Sequence, residues 1–435
     1  METETGRILV ESLTQHDGQS VLLRGWVHRL RVLGKTTFLI LRDCSGVAQC
    51  VTRSKTLKNA HAELKSEDTV EIHGRVRLDS RAPTGAEVEI ISIRVLNPAA
   101  QHLPFTASSS LEGIGIDTLI EYRPLAVRNP VVGNVFRIQA ALLAAFREFL
   151  NARRFTEIIT SKLVASGTEG GTNLFEVKYF DRAAYLAQSP QFYKEHGVGG
   201  LERVYETGHV YRAEPHASSR HLTEYYSLDV EFGFIDGPED LIQFERELLT
   251  YIFESLSTEF GETLRDYRSG PLPSMMAVPC WEFSMCLELL RTRFNRADLI
   301  DDLDPESERQ LCQIAQEESG VPAVFVIGFP LAARPFYTAP RGGAGAANSF
   351  DLLFEGLEIT TGGQRLHRRG DLEQALLKRG ISPEGFRTHL AMFDLGMPPH
   401  GGFAIGLERL TAQVLKLANI RQATLYPRDR SRLTP

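Results

Sequence analysis

Along the first hundred residues apolar and polar positions alternate, as in Val70-Glu71-Ile72-His73. A period of two belongs to strands with one face packed and the other wet. It predicts strands over 20–30, 36–42, 46–53, 68–78 and 86–96, separated by Gly, Asp, Ser and Pro. One stretch breaks the alternation: Lys55–Lys65 (KTLKNAHAELK) reads as a helix. Further on the period changes. Leu142, Leu143, Phe146, Phe149 and Leu150 fall at the spacing of an amphipathic helix over 134–153.

Five strands with one helix between the third and fourth is the pattern of an OB-fold barrel. Between barrel and helix, 97–130 holds Pro, Ser and Gly (NPAAQHLPFTASSSLEGIG, then YRPLAVRNP) and reads as a connector. Beyond it strands and helices mix without regular βαβ alternation, which favours an α+β domain over a doubly wound one. The organisation expected is a barrel over 1–103, a hinge or linker over 104–130, and a larger α+β domain over 131–435.

Charge and composition narrow the function. The net charge of −7 argues against a protein that coats nucleic acid without specificity. Residues 1–100 carry 14 Lys/Arg against 12 Asp/Glu, so an anionic polymer docks more readily there than on the rest, which carries −9. No run of about 18 apolar residues is present, so no transmembrane helix is expected. The start, METETGRILVES, lacks the basic-then-apolar pattern of a secretion signal. Five cysteines include no C-x-x-C pair, which favours reduced thiols and a cytoplasmic location.

The densest chemistry lies in 203–234, RVYETGHVYRAEPHASSRHLTEYYSLDVEFGF. Two strand-like runs flank a polar loop. Arg212 and Glu214 share one face of the first, and Tyr225, Asp229 and Glu231 share one face of the second. Paired as a hairpin, they would present an arginine, an aromatic ring and three carboxylates on one surface. A solvated face with surface ion pairs explains the same pattern equally well from periodicity alone.

The string YRAE–loop–RHLTEYYSLDVE resembles motif 2 of class II aminoacyl-tRNA synthetases, and Ile405–Leu410 (IGLERL) resembles motif 3. TEGGTNLF (168–175), AQSPQFYKE (187–195), GGQRLH (362–367), PPHGGFAIGLERL (398–410) and YPRDRSRLTP (426–435) are similar to the compact, archaeal-type aspartyl enzymes. The resemblance implies a catalytic domain over 131–435 built on an antiparallel sheet flanked by helices, and roles residue by residue. Arg212 would touch the ATP α-phosphate and the aspartate carboxylate, stabilising charge as carboxylate attacks phosphorus. Arg409 would hold the γ-phosphate, and Tyr225 would stack on adenine opposite it. Arg220, His221 and Leu222 on the loop, Glu214, and Gly406, Leu407 and Glu408 of motif 3 complete the implied ATP site. Glu358 matches a Mg²⁺-binding glutamate, with Thr361 beside it and Asp351 as a second candidate carboxylate.

For the amino acid, the resemblance implies that Lys194 and Arg365 grip the β-carboxylate, Lys194 as a point charge and Arg365 with fork geometry. Asp229 would hold Lys194 in place, and Gln191 and Glu169 would bind the α-amino end. The sister asparaginyl-tRNA synthetases lack a lysine at the position of Lys194, so this residue favours aspartate. A catalytically inactive synthetase-like RNA-binding or regulatory protein is the other alternative. Such proteins lose residues matching Arg212, Glu358 or Arg409, and all three are present.

In the barrel, Phe38 and Gln49 match positions that stack on and hydrogen-bond an anticodon base. His28 and Pro83 stand where discriminating relatives have tryptophan and lysine. They imply relaxed choice at the last anticodon base, hence charging of both tRNA-Asp and tRNA-Asn and a need for a tRNA-dependent amidotransferase. A homodimer is implied by motif 1, in which Ser161 replaces the usual proline.

Overall fold

A computed structural model of the chain describes residues 6–34, 36–52, 64–167, 173–215, 218–342 and 345–434. They divide into two compact units, 1–133 and 134–435.

The first unit is a closed five-stranded barrel. Its strands are β1 (Ser20–Leu33), β2 (Thr36–Arg42), β3 (Val47–Thr52), β4 (Thr69–Leu78) and β5 (Ala86–Asn97), in the order β1-β2-β3-β5-β4 with β4 returning to β1. Alternation drives closure: Val21, Leu23, Leu39, Leu41, Ile72 and Val88 all point into one apolar core. Each such side chain removed from water contributes roughly 1.5–3 kcal/mol. Strand β1 carries a bulge, because Val27 pairs with Leu41 while Arg29 pairs with Ile40, leaving His28 as the extra residue. The helix expected over Lys55–Lys65 falls, but for its last two residues, outside the described residues. The connector 104–130 is folded: it forms helices Ile116–Glu121 and Arg123–Ala126, and Phe105 packs with Leu125 and Ala126 in a small core.

The second unit is built on eight strands: β6 (Thr156–Glu157), β7 (Arg203–Tyr211), β8 (Glu224–Gly233), β9 (Cys280–Glu282), β10 (Ala323–Ile327), β11 (Ser349–Phe354), β12 (Leu357–Gln364) and β13 (His400–Gly406). Their order is β9-β10-β11-β12-β13-β8-β7-β6. The six central strands pair antiparallel, as expected, but both edges are parallel, so the sheet is mixed. The reason at one edge is the connection: helices Phe283–Phe294 and Pro305–Ser319 lie between β9 and β10, the crossover that parallel pairing requires.

One face of this sheet is covered by α1 (Pro130–Ala152) and α3 (Pro238–Leu264). The stripe Ile138, Leu142, Phe146 and Phe149 packs with Leu248 and Ile252 of α3 and with Leu228, Val230, Leu352 and Ile405 of the sheet. Phe146 meets the ring of Tyr205 edge-on, centroids 5.9 Å apart. Between α1 and α3 in sequence lies α2 (Gln191–Leu201).

Candidate functional site

Because even-numbered residues of β8 enter the core, the odd ones emerge on the other face. Tyr225, Ser227 and Asp229 accordingly line a cavity of about 440 Å³ in the second unit. The first hairpin strand ends at Tyr211, so Arg212 and Glu214 lie just beyond it. The Arg212 backbone N–H still donates to Thr223 O at 2.9 Å and carries the ladder one step further. Both residues line the same cavity, with Arg220, His221 and Leu222 from the connecting loop.

The deep end of the cavity is a buried charge cluster. Helix α2 buries Gln191, Lys194, Glu195 and Val198, spaced three and four apart, and so turns a polar stripe inward. Lys194 Nζ lies 2.9 Å from Asp229 and 3.3 Å from Glu231. Arg365 donates from Nε to Glu231 Oε1 at 3.0 Å, and from Nη2 to Gln191 Oε1 at 3.3 Å and Gly402 O at 3.1 Å. A side chain on Gly402 would put Cβ 2.3 Å from Glu231 Oε2, so glycine makes room for this pair. The pKa of Lys194 is raised: burial alone would lower it, but Asp229 and Glu231 outweigh burial. Glu231 is held below the usual carboxylate range by Arg365 and Lys194 despite its burial. Two buried cations thus stand where an acidic ligand can reach them, each already held in place.

The shallow end suits a nucleotide. The Arg212 guanidinium sits 5.8 Å from the centroid of Tyr225. His221 Nδ1 is 2.6 Å from Ser218 Oγ. Arg220 is ion-paired with Glu308, whose carboxylate also accepts the Glu358 N–H at 2.9 Å. Arg409 Nη1 donates to Glu358 O at 2.9 Å and to Glu358 Oε1 at 3.1 Å. Glu408 takes the Tyr226 N–H on both oxygens, and burial pushes its carboxyl up to about 7. Gly406 lines the cavity too, whereas Leu407 belongs to the apolar core and offers no side chain to the site.

Strict alternation would place Glu358 and Thr361 on opposite faces of β12. A bulge, at which Leu352 pairs with Thr360 but Leu353 with Glu358, shifts the parity and brings both to the cavity. Thr361 Oγ1 lies 3.3 Å from Glu358 Oε1, so hard oxygen donors that fit a divalent cation sit together. Asp351, the other metal candidate, stands opposite Thr361 across β11 and β12. Both its oxygens are taken by Arg334 at 3.0 and 2.6 Å, and it does not line the cavity. Burial raises its carboxyl to about 6, against the attraction of Arg334. Glu169 lies outside the described residues. Ser227, Arg334 and Glu308 had not been singled out from the sequence. Ser227 had the signal of its parity with Tyr225 and Asp229, while the other two meet the site only through tertiary contacts.

The barrel has its own cavity of about 850 Å³, and His28, Phe38, Gln49 and Pro83 all line it with Arg29, Arg31 and Arg81. The bulge at His28 lets that ring and Arg29 reach the same space. Gln49 Nε2 donates to Glu87 at 3.2 Å. Arg42 Nη1 is 3.1 Å from His28 Nδ1. A guanidinium only donates, so Nδ1 accepts and the imidazole proton sits on Nε2. Burial lowers the His28 pKa, and Arg42 lowers it further. Arg42 is itself held by Glu67 at 3.1 Å, and Glu67 also accepts from Arg128 and the Ala107 N–H.

A family model described as tRNA synthetases class II (D, K and N) matches residues 115–430, and one described as OB-fold nucleic acid binding domain matches 21–96. The aspartate--tRNA(Asp/Asn) ligase of Deinococcus radiodurans is 43% identical over the whole length of both chains. That of Thermus thermophilus is 44% identical over 99% of this chain and all of its own. Asparaginyl-tRNA synthetase from Pyrococcus horikoshii, solved with asparaginyl-adenylate, superposes with a TM-score of 0.91 at 30% identity, covering 99% of this chain and all of that one.

Proposed function

Because the chain belongs to the class II tRNA synthetases of the D, K and N group, we propose that it activates L-aspartate with ATP and loads it onto tRNA-Asp and tRNA-Asn. The observation that carries this reading is the buried pair Lys194 and Arg365 at the deep end of the cavity. A pocket built on two fixed cations favours a side-chain carboxylate over the corresponding neutral amide. This counts against the asparaginyl alternative, even though an asparaginyl enzyme shares the fold.

In this reading the aspartate α-carboxylate attacks the α-phosphorus of ATP, forming a C–O–P bond as pyrophosphate leaves. The tRNA 3′ ribose hydroxyl then attacks the adenylate carbonyl and AMP leaves. No side chain acts as covalent nucleophile. Arg212 lines the same cavity and stabilises charge on the α-phosphate. Tyr225 supplies the ring for adenine, and Arg409 and Arg220, with His221 nearby, supply cations and donors for the outer phosphates. Gln191 binds the α-amino end, with Glu169 assigned beside it. Class II synthetases use ATP with a divalent metal; Mg²⁺ is assigned to Glu358 and Thr361, where it would neutralise phosphate charge. Asp351, held by Arg334, is the second carboxylate assigned to that ion.

The tRNA partner docks on the barrel, with 1–103 as anticodon-binding domain, 104–130 as connector and 131–435 as catalytic domain. Phe38 offers the stacking face and Gln49 and His28 the polar contacts. Aspartate and asparagine codons differ only in their first base, so the last anticodon base is C or U. The His28 Nε2–H donor suits O2, which both pyrimidines carry, and Pro83 adds no donor of its own. The same reading entails a tRNA-dependent amidotransferase to convert Asp-tRNA-Asn, and a cytoplasmic location. A homodimer through motif 1 is supported by Ile159, which is 95% exposed on the segment that carries Ser161. No helix among the described residues is long and apolar enough to cross a membrane.

Aspartate-dependent ATP–pyrophosphate exchange, run beside asparagine, tests the first half. Exchange with asparagine alone, or with neither, overturns it. Charging purified tRNA-Asn tests the second half, and a rate thousands of times below that on tRNA-Asp would refute dual specificity.

A further inference from the structure

Behind the amino-acid pocket lies a carboxyl that the reaction described above leaves unused. Glu195 follows Lys194 on α2 and is fully buried. Its Oε1 accepts a hydrogen bond from Gln191 Nε2 at 2.8 Å. That contact fixes the amide: with its nitrogen turned to Glu195, Gln191 presents Oε1 to Arg365 Nη2. On the other side, Glu195 Oε2 lies 3.4 Å from His389 Nε2. His389 Nδ1 is in turn 2.9 Å from His196 Nε2, and its ring stacks on Phe192 with centroids 4.0 Å apart.

The charges around Glu195 decide its state. Lys194 and Arg365 supply two positive charges; Asp229 and Glu231 supply two negative ones. The set is balanced without Glu195. An ionised Glu195 would leave it at −1 before an acidic substrate adds a further negative charge. Burial pushes the Glu195 carboxyl up to about 8, and the neighbouring Glu231 carboxylate adds to the rise against Gln191, Arg365 and Lys194. Burial draws His389 down to about 3, with His196 and His400 adding to it. The pKa values of His196 and His400 are themselves lowered. A neutral Glu195 carries its proton on Oε2, since Oε1 accepts from Gln191, and the tautomer in which His389 Nδ1–H donates to His196 leaves His389 Nε2 to accept it.

We infer that Glu195 is a positioning residue for aspartate that works as the uncharged acid: it orients the Gln191 amide and keeps the pocket neutral, so that Lys194 and Arg365 can take an anionic side chain. The inference rests on the aspartate reading above and adds to it a requirement for a proton outside the substrate's own contacts. Ionisation of Glu195 penalises aspartate and leaves ATP untouched.

The test is the pH dependence of aspartate-dependent ATP–pyrophosphate exchange on the full chain. Between pH 7.5 and 9 the KM for aspartate of the unaltered protein should rise roughly eightfold, the fraction of protonated Glu195 falling by that factor around a pKa of about 8. The KM for ATP stays flat over the same range. Glu195→Gln, uncharged at every pH and still able to accept from Gln191, should keep a KM near the original at pH 7.5 and lose the rise. Glu195→Ala, which frees the Gln191 amide, should raise the KM for aspartate about tenfold at pH 7.5 with kcat little changed. A flat profile in the unaltered protein overturns the inference without recourse to any variant. So does an equal rise in Glu195→Gln, or a Glu195→Gln that binds aspartate as poorly as Glu195→Ala at pH 7.5. Absence of any aspartate-dependent exchange would instead refute the functional reading on which it rests.

Discussion

Arg220 is expected to meet ATP, yet its guanidinium is bound to Glu308 of the helix Pro305–Ser319. ATP must displace that partner before Arg220 can serve a phosphate. The pair is mostly shielded, the two side chains being 21% and 11% exposed. A charge-assisted hydrogen bond of this kind contributes about 1.5–3 kcal/mol, and a neutral one about 1 kcal/mol. Glu308→Gln keeps an oxygen for the Glu358 N–H, which Glu308 now accepts at 2.9 Å, and removes only the charge. The competition ATP must overcome then falls by about 1–1.5 kcal/mol, a roughly five- to tenfold gain in ATP affinity. Losing a carboxylate beside the incoming phosphates acts in the same direction. The assays are the KM for ATP in pyrophosphate exchange at saturating aspartate, and equilibrium binding of a non-hydrolysable ATP analogue. In an Arg220→Met background the same change should gain much less, because the pair it weakens is already gone. An ATP affinity that stays put or worsens in Glu308→Gln would refute the reasoning, since Glu308 would then be supporting ATP binding and not competing with it.

Lys194→Met leaves Asp229 and Glu231 facing Arg365 alone; chemical denaturation should show a loss of about 3–5 kcal/mol, and exchange should show a KM for aspartate raised about a hundredfold with that for ATP little changed. Arg42→Met removes both the hydrogen bond that fixes the His28 tautomer and a charge that lowers its pKa, while Glu67 remains to raise it. The KM for tRNA, measured by charging tRNA-Asp, should then depend on pH between 6 and 8 where the unaltered protein is flat, with ATP–pyrophosphate exchange unchanged. Glu245 is fully buried on α3, and burial pushes its carboxyl up to about 8. A carboxyl whose pKa is raised on folding contributes full stability below its unfolded value of about 4.3, and that contribution is lost as pH climbs through the folded value. Thermal or urea unfolding should therefore show a loss on the order of 4 kcal/mol between pH 5 and 9 from this group, which Glu245→Gln abolishes.

What the sequence could convey divides along one physical line. Wherever a side chain's direction follows from a fixed period, position in sequence suffices. Val21 and Leu23 enter the barrel core for that reason, as do Ile138, Leu142 and Phe146 at the helical period, and Tyr225 and Asp229 share a face by parity. Directions became illegible where the period slips by one residue. The bulges at His28 and at Glu358–Thr360 leave no mark in composition, neither containing a glycine, yet each re-aims a polar side chain into a cavity. Parity alone would have turned Thr361 away from Glu358. Partnership was the other hidden quantity. Arg365 meets Gln191 from 174 residues away and Arg220 meets Glu308 from 88. A carboxylate such as Asp351 looks the same in sequence whether or not an arginine such as Arg334 holds both its oxygens. Family resemblance can carry a residue type to a position, but it carries no account of what that residue is already bonded to. Buried charge is always bonded to something. The positions where resemblance is weakest as a guide are therefore the buried ionisable ones, and in this chain those are the residues that line the pocket, Lys194, Asp229 and Arg365, and the two behind it, Glu195 and Glu231.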